Sequence, residues 1–276
     1  MNKQDLRSQF MNRLICFLLL LCVSISMLFL KQASAEDHST LPSKKSFHIY
    51  LLMGQSNMAG RAAICQEDDQ PSPRVLVLNQ QDRWAIARDP LHFDKPTAGV
   101  GPGLSFGNVM AAVDLSATIG LVPCAVGGTP LSRWEKGGDL YKQALQRAET
   151  ALQHGTLKGV LWHQGENDSM TKEKAESYAK RLDSLINDLR RDLKNARLPI
   201  VVGQLGDFLS KKQFPFTAMV NDALKSLPHR VPATASVEAS GLKSQEDAVH
   251  FDAASAKELG NRFAQAMLQL QKRPPK

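Results

Sequence analysis

Short, continuous apolar runs alternate along the chain with longer segments whose apolar residues recur every three or four positions. FHIYLLM (47–53), RVLVL (74–78), ATIGLVPCAV (117–126), GVLWHQ (159–164) and PIVVGQL (199–205) read as strands, with ATASVEA (233–239) a weaker candidate. A strand with one wet face alternates apolar and polar side chains. Runs that are apolar throughout belong to strands covered by helices on both faces. The periodic segments supply those helices. Within 173–194, Tyr178, Leu182, Leu185, Ile186, Leu189 and Leu193 form one stripe. Leu145, Ala148 and Leu152 mark a second helix over 139–153, and Leu259, Phe263, Ala266, Met267 and Leu270 a last one. Ser255 and Glu258 offer that last helix a capping box. The alternation predicts an α/β protein, a three-layer α/β/α sandwich around a mainly parallel, five-stranded sheet. Arg61 to Gly107, rich in Asp, Pro and Gly, reads as long loops around one strand.

The first residues follow a different rule. Lys3, Arg7 and Arg13 precede an apolar run over 14–30, and Ala33-Ser34-Ala35 then offers a small-x-small cleavage site. This order is that of a secretory signal peptide over 1–35, cleaved after Ala35. The chain is then expected to be exported, with membrane attachment only if the run stays uncleaved. Residues 36–276 suit one sizeable domain. The formal net charge of +7 comes partly from the leader, and the other basic residues are scattered rather than gathered on a face, which argues against a nucleic-acid partner. Outside the leader only Cys65 and Cys124 remain, too few for a disulfide scaffold or a zinc knuckle. The seven histidines form no H-x-x-x-H pair, and Gly101, Gly103 and Gly107 miss the dinucleotide-binding spacing. No metal or cofactor is expected.

Candidate chemistry gathers where strands end. Gly54-Gln55-Ser56-Asn57 follows the first strand, at the edge where open α/β sheets place ligands. Asp247 and His250 precede the last helix and can supply, from one turn, a base and the carboxylate that orients it. Gly127 and Gly128 follow the third strand and can bring a backbone N–H to a substrate oxygen. Trp162-His163-Gln164-Gly165-Glu166-Asn167-Asp168 crowds amides and carboxylates at another strand end. A nucleophile, an oriented base and two sets of donors at one sheet edge form the outline of an acyl-transfer site.

With GQSNMAG (54–60), GVGPG (99–103), GLVPCAVGGTPLSRWEKG (120–137), VLWHQGEND (160–168) and DAVHF (247–251) in order, the chain resembles the SGNH hydrolase superfamily. Within it, the likeness is to carbohydrate esterases that include acetyl xylan esterases and sialate O-acetylesterase, and plant members are especially similar. The resemblance implies a flavodoxin-like sandwich and a serine esterase removing acetyl groups from acetylated polysaccharide or sialic acid. It implies Ser56 as nucleophile and oxyanion donor, His250 as base and Asp247 as acid, with Glu166 the rival acid. Gly128 is the preferred second donor, Gly127 the alternative. For the side-chain donor the Q-G-E spelling of the carbohydrate esterase branch favours Gln164, and the G-x-N-D spelling of SGNH enzymes at large favours Asn167. Arg133 and Trp134 are candidates for binding the sugar. The alternatives are a general short-chain esterase and a non-catalytic carbohydrate-binding protein on the same fold.

Overall fold

A computed structural model describes residues 41–65 and 72–272. The expected signal peptide therefore lies outside the described residues. Among the described residues, seven strands form one sheet in the order β3-β2-β4-β1-β5-β6-β7. They are β1 (Phe47–Gly54), β2 (Val75–Leu78), β3 (Trp84–Ile86), β4 (Thr118–Pro123), β5 (Thr156–His163), β6 (Ile200–Gly203) and β7 (Thr234–Val237). All neighbours are parallel except β2 and β3, which form an antiparallel pair at one edge. The sheet thus exceeds the five strands expected. β7 is the weaker candidate, whereas β3 gives almost no signal: it is three residues long and half-buried throughout.

Among the described residues, six helices accompany the sheet: α1 (Ser56–Ala59), α2 (Pro102–Val113), α3 (Asp139–His154), α4 (Lys172–Asp192), α5 (Thr217–Arg230) and α6 (Ala253–Lys272). α2 packs on α6 and α4 on α5. Met267 and Phe263 of α6 lie against Gly159 of β5 and Gly203 of β6, whereas Tyr178 of α4 meets Trp162 on the opposite face of β5. The arrangement is the expected three-layer sandwich. Central β1 is buried along nearly its whole length, which explains its continuous apolar spelling.

Two local expectations fail for clear reasons. The first half of α2 falls in the segment read as loops, because Pro102, Gly103 and Gly107 dilute its helical signal. Those glycines permit close packing, since a Cβ at Gly107 would stand 2.8 Å from Val75 Cγ1. The last helix starts earlier than its supposed capping box. Asp252 Oδ1 accepts from the Ser255 N–H at 2.7 Å and is the cap, while Ser255 Oγ accepts from the Lys243 N–H at 2.7 Å.

Candidate active site

The carboxyl ends of β1, β4 and β5 open into a cleft of about 520 Å³ whose lining includes Ser56, Gly127, Gly128, Glu166, Asn167, Asp247 and His250. β1 delivers the serine through a turn that only glycine permits. Gly54 has φ 131°, and a Cβ there would lie 2.0 Å from the His163 carbonyl oxygen of neighbouring β5. The Gln55 N–H instead donates to that carbonyl at 2.9 Å, and the chain turns at once into α1. Ser56 opens the helix, so its N–H has no carbonyl four residues back and is left for a ligand.

Residues 244–251 form a small loop that presents Asp247 and His250. An isolated antiparallel bridge pairs Ser244 with Phe251, and the Gln245 N–H donates to the His250 carbonyl at 2.8 Å. Ala248 at φ 53° takes the left-handed turn between the acid and the base. His250 Nδ1 lies 2.6 Å from Asp247 Oδ2, and Nε2 lies 2.9 Å from Ser56 Oγ. Asp247 Oδ1 accepts the N–H groups of Val249 and His250 at 2.9 Å each. Partial burial acts to raise the Asp247 pKa, but those two N–H donors and the imidazole outweigh it and hold it below the usual carboxylate value.

Asn57, beside the serine, clamps this loop. Its Oδ1 accepts from the Phe251 N–H at 3.1 Å, and its Nδ2 donates to the Val249 carbonyl at 3.1 Å and to Glu166 Oε1 at 2.6 Å. Both neighbours of His250 are thereby tied to the residue after Ser56. Sequence reasoning missed this role, because an asparagine beside a serine carries no sign of its distant partners.

A family model described as carbohydrate esterase, sialic acid-specific acetylesterase matches residues 46–269. The chain belongs to this family. It is 36% identical over 257 residues to a probable carbohydrate esterase of Arabidopsis thaliana, covering 84% of this chain and 94% of that one. The crystal structure of that plant protein superposes with a TM-score of 0.75 at 35% identity, over 83% of this chain and 99% of that one. NanS shares the fold, with a TM-score of 0.68 at 19% identity over 84% and 99% of the two chains.

Within this carbohydrate esterase, the remaining candidates separate by burial and by free hydrogen-bonding capacity. Glu166 is not the orienting acid: its Oε1 is taken by Asn57, whereas Asp247 holds the imidazole. Gly127 has spent its N–H on Asp94 Oδ2 at 2.8 Å. Gly128, at φ 76°, keeps a backbone N–H with no partner among the described residues, and nothing stands within 4 Å of where its Cβ would be.

The preference for Gln164 does not survive the structure. Its side chain is fully buried, and its Nε2 points to Asp168 Oδ2 at 2.6 Å, the Thr129 carbonyl at 3.1 Å and Gln55 Oε1 at 3.3 Å. An amide nitrogen has two hydrogens, so none remains for a substrate. Asn167 lines the cleft and gives one Nδ2 hydrogen to the Gly128 carbonyl at 3.0 Å, keeping the other. Asn167 also begins the only N-x-S/T sequon of the chain, and a glycan on this amide would fill the site.

Trp134 is no sugar platform. It is fully buried, set edge-on to Trp162 with ring centroids 5.5 Å apart, and donates its indole N–H to Thr129 Oγ1 at 3.1 Å. Arg133 is exposed but lies outside the cleft, paired with Asp139. Cys65 is an exposed free thiol and Cys124 a buried one.

Proposed function

We propose that this chain removes O-acetyl groups from carbohydrate through an acetyl-serine intermediate. The observation that carries the mechanism is the continuous relay from Asp247 Oδ2 through the His250 ring to Ser56 Oγ, with spacings of 2.6 and 2.9 Å. Membership of the esterase family supports the choice of ester and sugar. His250 Nε2 takes the Ser56 proton as Oγ attacks the ester carbonyl, and Asp247 stabilises the imidazolium. The Ser56 and Gly128 N–H groups and the free Nδ2 hydrogen of Asn167 receive the developing oxyanion. His250 then protonates the departing sugar oxygen. Water, deprotonated by the same nitrogen, releases acetate and restores the serine.

Acetate release from p-nitrophenyl acetate, acetylated xylan and O-acetylated sialic acid tests this reading beside Ser56→Ala. Hydrolysis of at least one acetylated carbohydrate, lost in the variant, is expected. Cleavage of p-nitrophenyl acetate alone would favour the general short-chain esterase instead.

Residues 1–35 further support export, since basic, apolar and small residues follow in the order a signal peptidase reads. The secreted protein then begins at Glu36. Retention in the cytoplasm with Met1 intact would contradict export.

A further inference from the structure

We propose that a recess beside the catalytic cleft binds the sugar unit adjoining the acetylated one, with Phe93 as its stacking face. The proposal rests on the carbohydrate-ester reading and extends it from a single sugar to a chain of sugars.

The recess, about 370 Å³, is lined by Gln80, Phe93, Arg133, Asp139, Gln143 and Arg147 among others. Phe93 is 37% exposed, the most exposed of the phenylalanine, tyrosine and tryptophan rings among the described residues. A neighbouring cation, itself tightly held, packs on the ring. The Arg147 guanidinium carbon lies 5.0 Å from the ring centroid, and that guanidinium is held by the Pro123 and Leu78 carbonyls at 2.8 and 2.6 Å and by Asp82 Oδ1 at 2.9 Å. A ring already immobilised loses little freedom when a ligand settles on its open side. Burial pushes the floor residue His92 down to about 4, so it stays neutral there. The Arg133–Asp139 pair in the same lining is solvent-accessible, with side chains 43% and 61% exposed, and Gln80 and Gln143 add amide groups. A pyranose presents an apolar C–H face and a rim of hydroxyls. An aromatic plate among charged and amide side chains matches both parts.

The recess is also in the right place. Asp94, next to Phe93, accepts from the Gly127 N–H at 2.8 Å and pairs with Arg61 of the catalytic cleft at 2.5 Å. Gly127 in turn lies against the nucleophile: a Cβ there would be 3.4 Å from Ser56 Cβ. One thin wall, Asp94 with Gly127, separates the reacting ester from the Phe93 plate. A sugar chain crossing that wall reaches Phe93 next.

The test compares KM for acetylated xylose with KM for acetylated xylo-oligosaccharides of increasing length, in the wild type, Phe93→Ala and Phe93→Tyr. Phe93→Ala is expected to raise KM for the oligosaccharides roughly three- to tenfold. It should leave acetylated xylose and p-nitrophenyl acetate unchanged, while Phe93→Tyr keeps the wild-type length dependence. No gain with chain length in the wild type, or an equal effect of Phe93→Ala on all substrates, would overturn the proposal. Cleavage of p-nitrophenyl acetate with no action on any acetylated sugar would sink the underlying carbohydrate reading and the subsite with it.

Discussion

On one side of Ser56, the Asp247 and His250 side chains keep 46% and 23% of their surface in solvent; on the other, Gln164 and Asp168 are sealed from it completely. The first pair holds only what its geometry requires and leaves His250 Nε2 aimed at the serine. The second cluster spends its donors on itself. Asp168 Oδ2 accepts from Gln164 and from the Leu131 N–H, and Gln164 Oε1 accepts from Tyr178 at 3.0 Å. Burial raises the Asp168 pKa against those donors, so its charge is costly and stays only while they are present. Donors with a hydrogen to spare do chemistry, and donors without one set the shape of the loops that do. The two amides of the QGEN segment, three positions apart, fall on opposite sides of this divide.

The comparison breaks first at Asp247. Replacing it with Asn puts an amide where a carboxylate accepts from Nδ1, and kcat should fall about 10²–10⁴-fold with melting temperature nearly unchanged. Thermal melts and steady-state kinetics on p-nitrophenyl acetate check both halves. A loss of stability equal to the loss of rate would place Asp247 with the scaffold.

Asn167→Ala and Gln164→Ala then sharpen the contrast. The first should lower kcat on the order of 10²-fold with KM little moved. The second takes from buried Asp168 Oδ2 one of its two donors and empties a packed polar site, and denaturant titration should show stability down by ~2–3 kcal/mol. The folded fraction of Gln164→Ala should turn over faster than Asn167→Ala. The reverse order would return the oxyanion role to Gln164.

Asn57→Ala releases Val249 and Phe251 on either side of His250, and a roughly tenfold drop in kcat is expected, with KM unchanged. An unaltered kcat would leave the clamp without a catalytic role. The smallest effect is in the pH profile. The Asp247 pKa lies below its ordinary value, so as pH falls the carboxylate stays ionised until pH drops below the usual range near about 4. The acid limb of kcat/KM should therefore follow one ionisation, and two in the same window would contradict the assignment.

Much of this was legible in the chain. Strands buried on both faces announce themselves as unbroken apolar runs, and the order of nucleophile, glycine pair and acid–base turn places them on one edge of a parallel sheet. Legibility stops where a residue's part depends on distant partners. Gln164 and Asn167 are spelled alike as donors, and only Thr129, Gln55 and Asp168 around the first reveal that it is spent. Trp134 invites a role in sugar binding until its burial against Trp162 is seen, whereas Phe93, in a segment read as loops, carries no periodic signal at all. β3 is too short for any pattern to emerge.

The central claim is that Asp247 and His250 activate Ser56, and labelling with diethyl p-nitrophenyl phosphate tests it most directly. Intact-mass and peptide analysis should find one diethylphosphoryl group, on Ser56, formed rapidly in the wild type and at least about 10²-fold more slowly in His250→Ala. Modification at another residue, or equal labelling of Ser56 without His250, would contradict it.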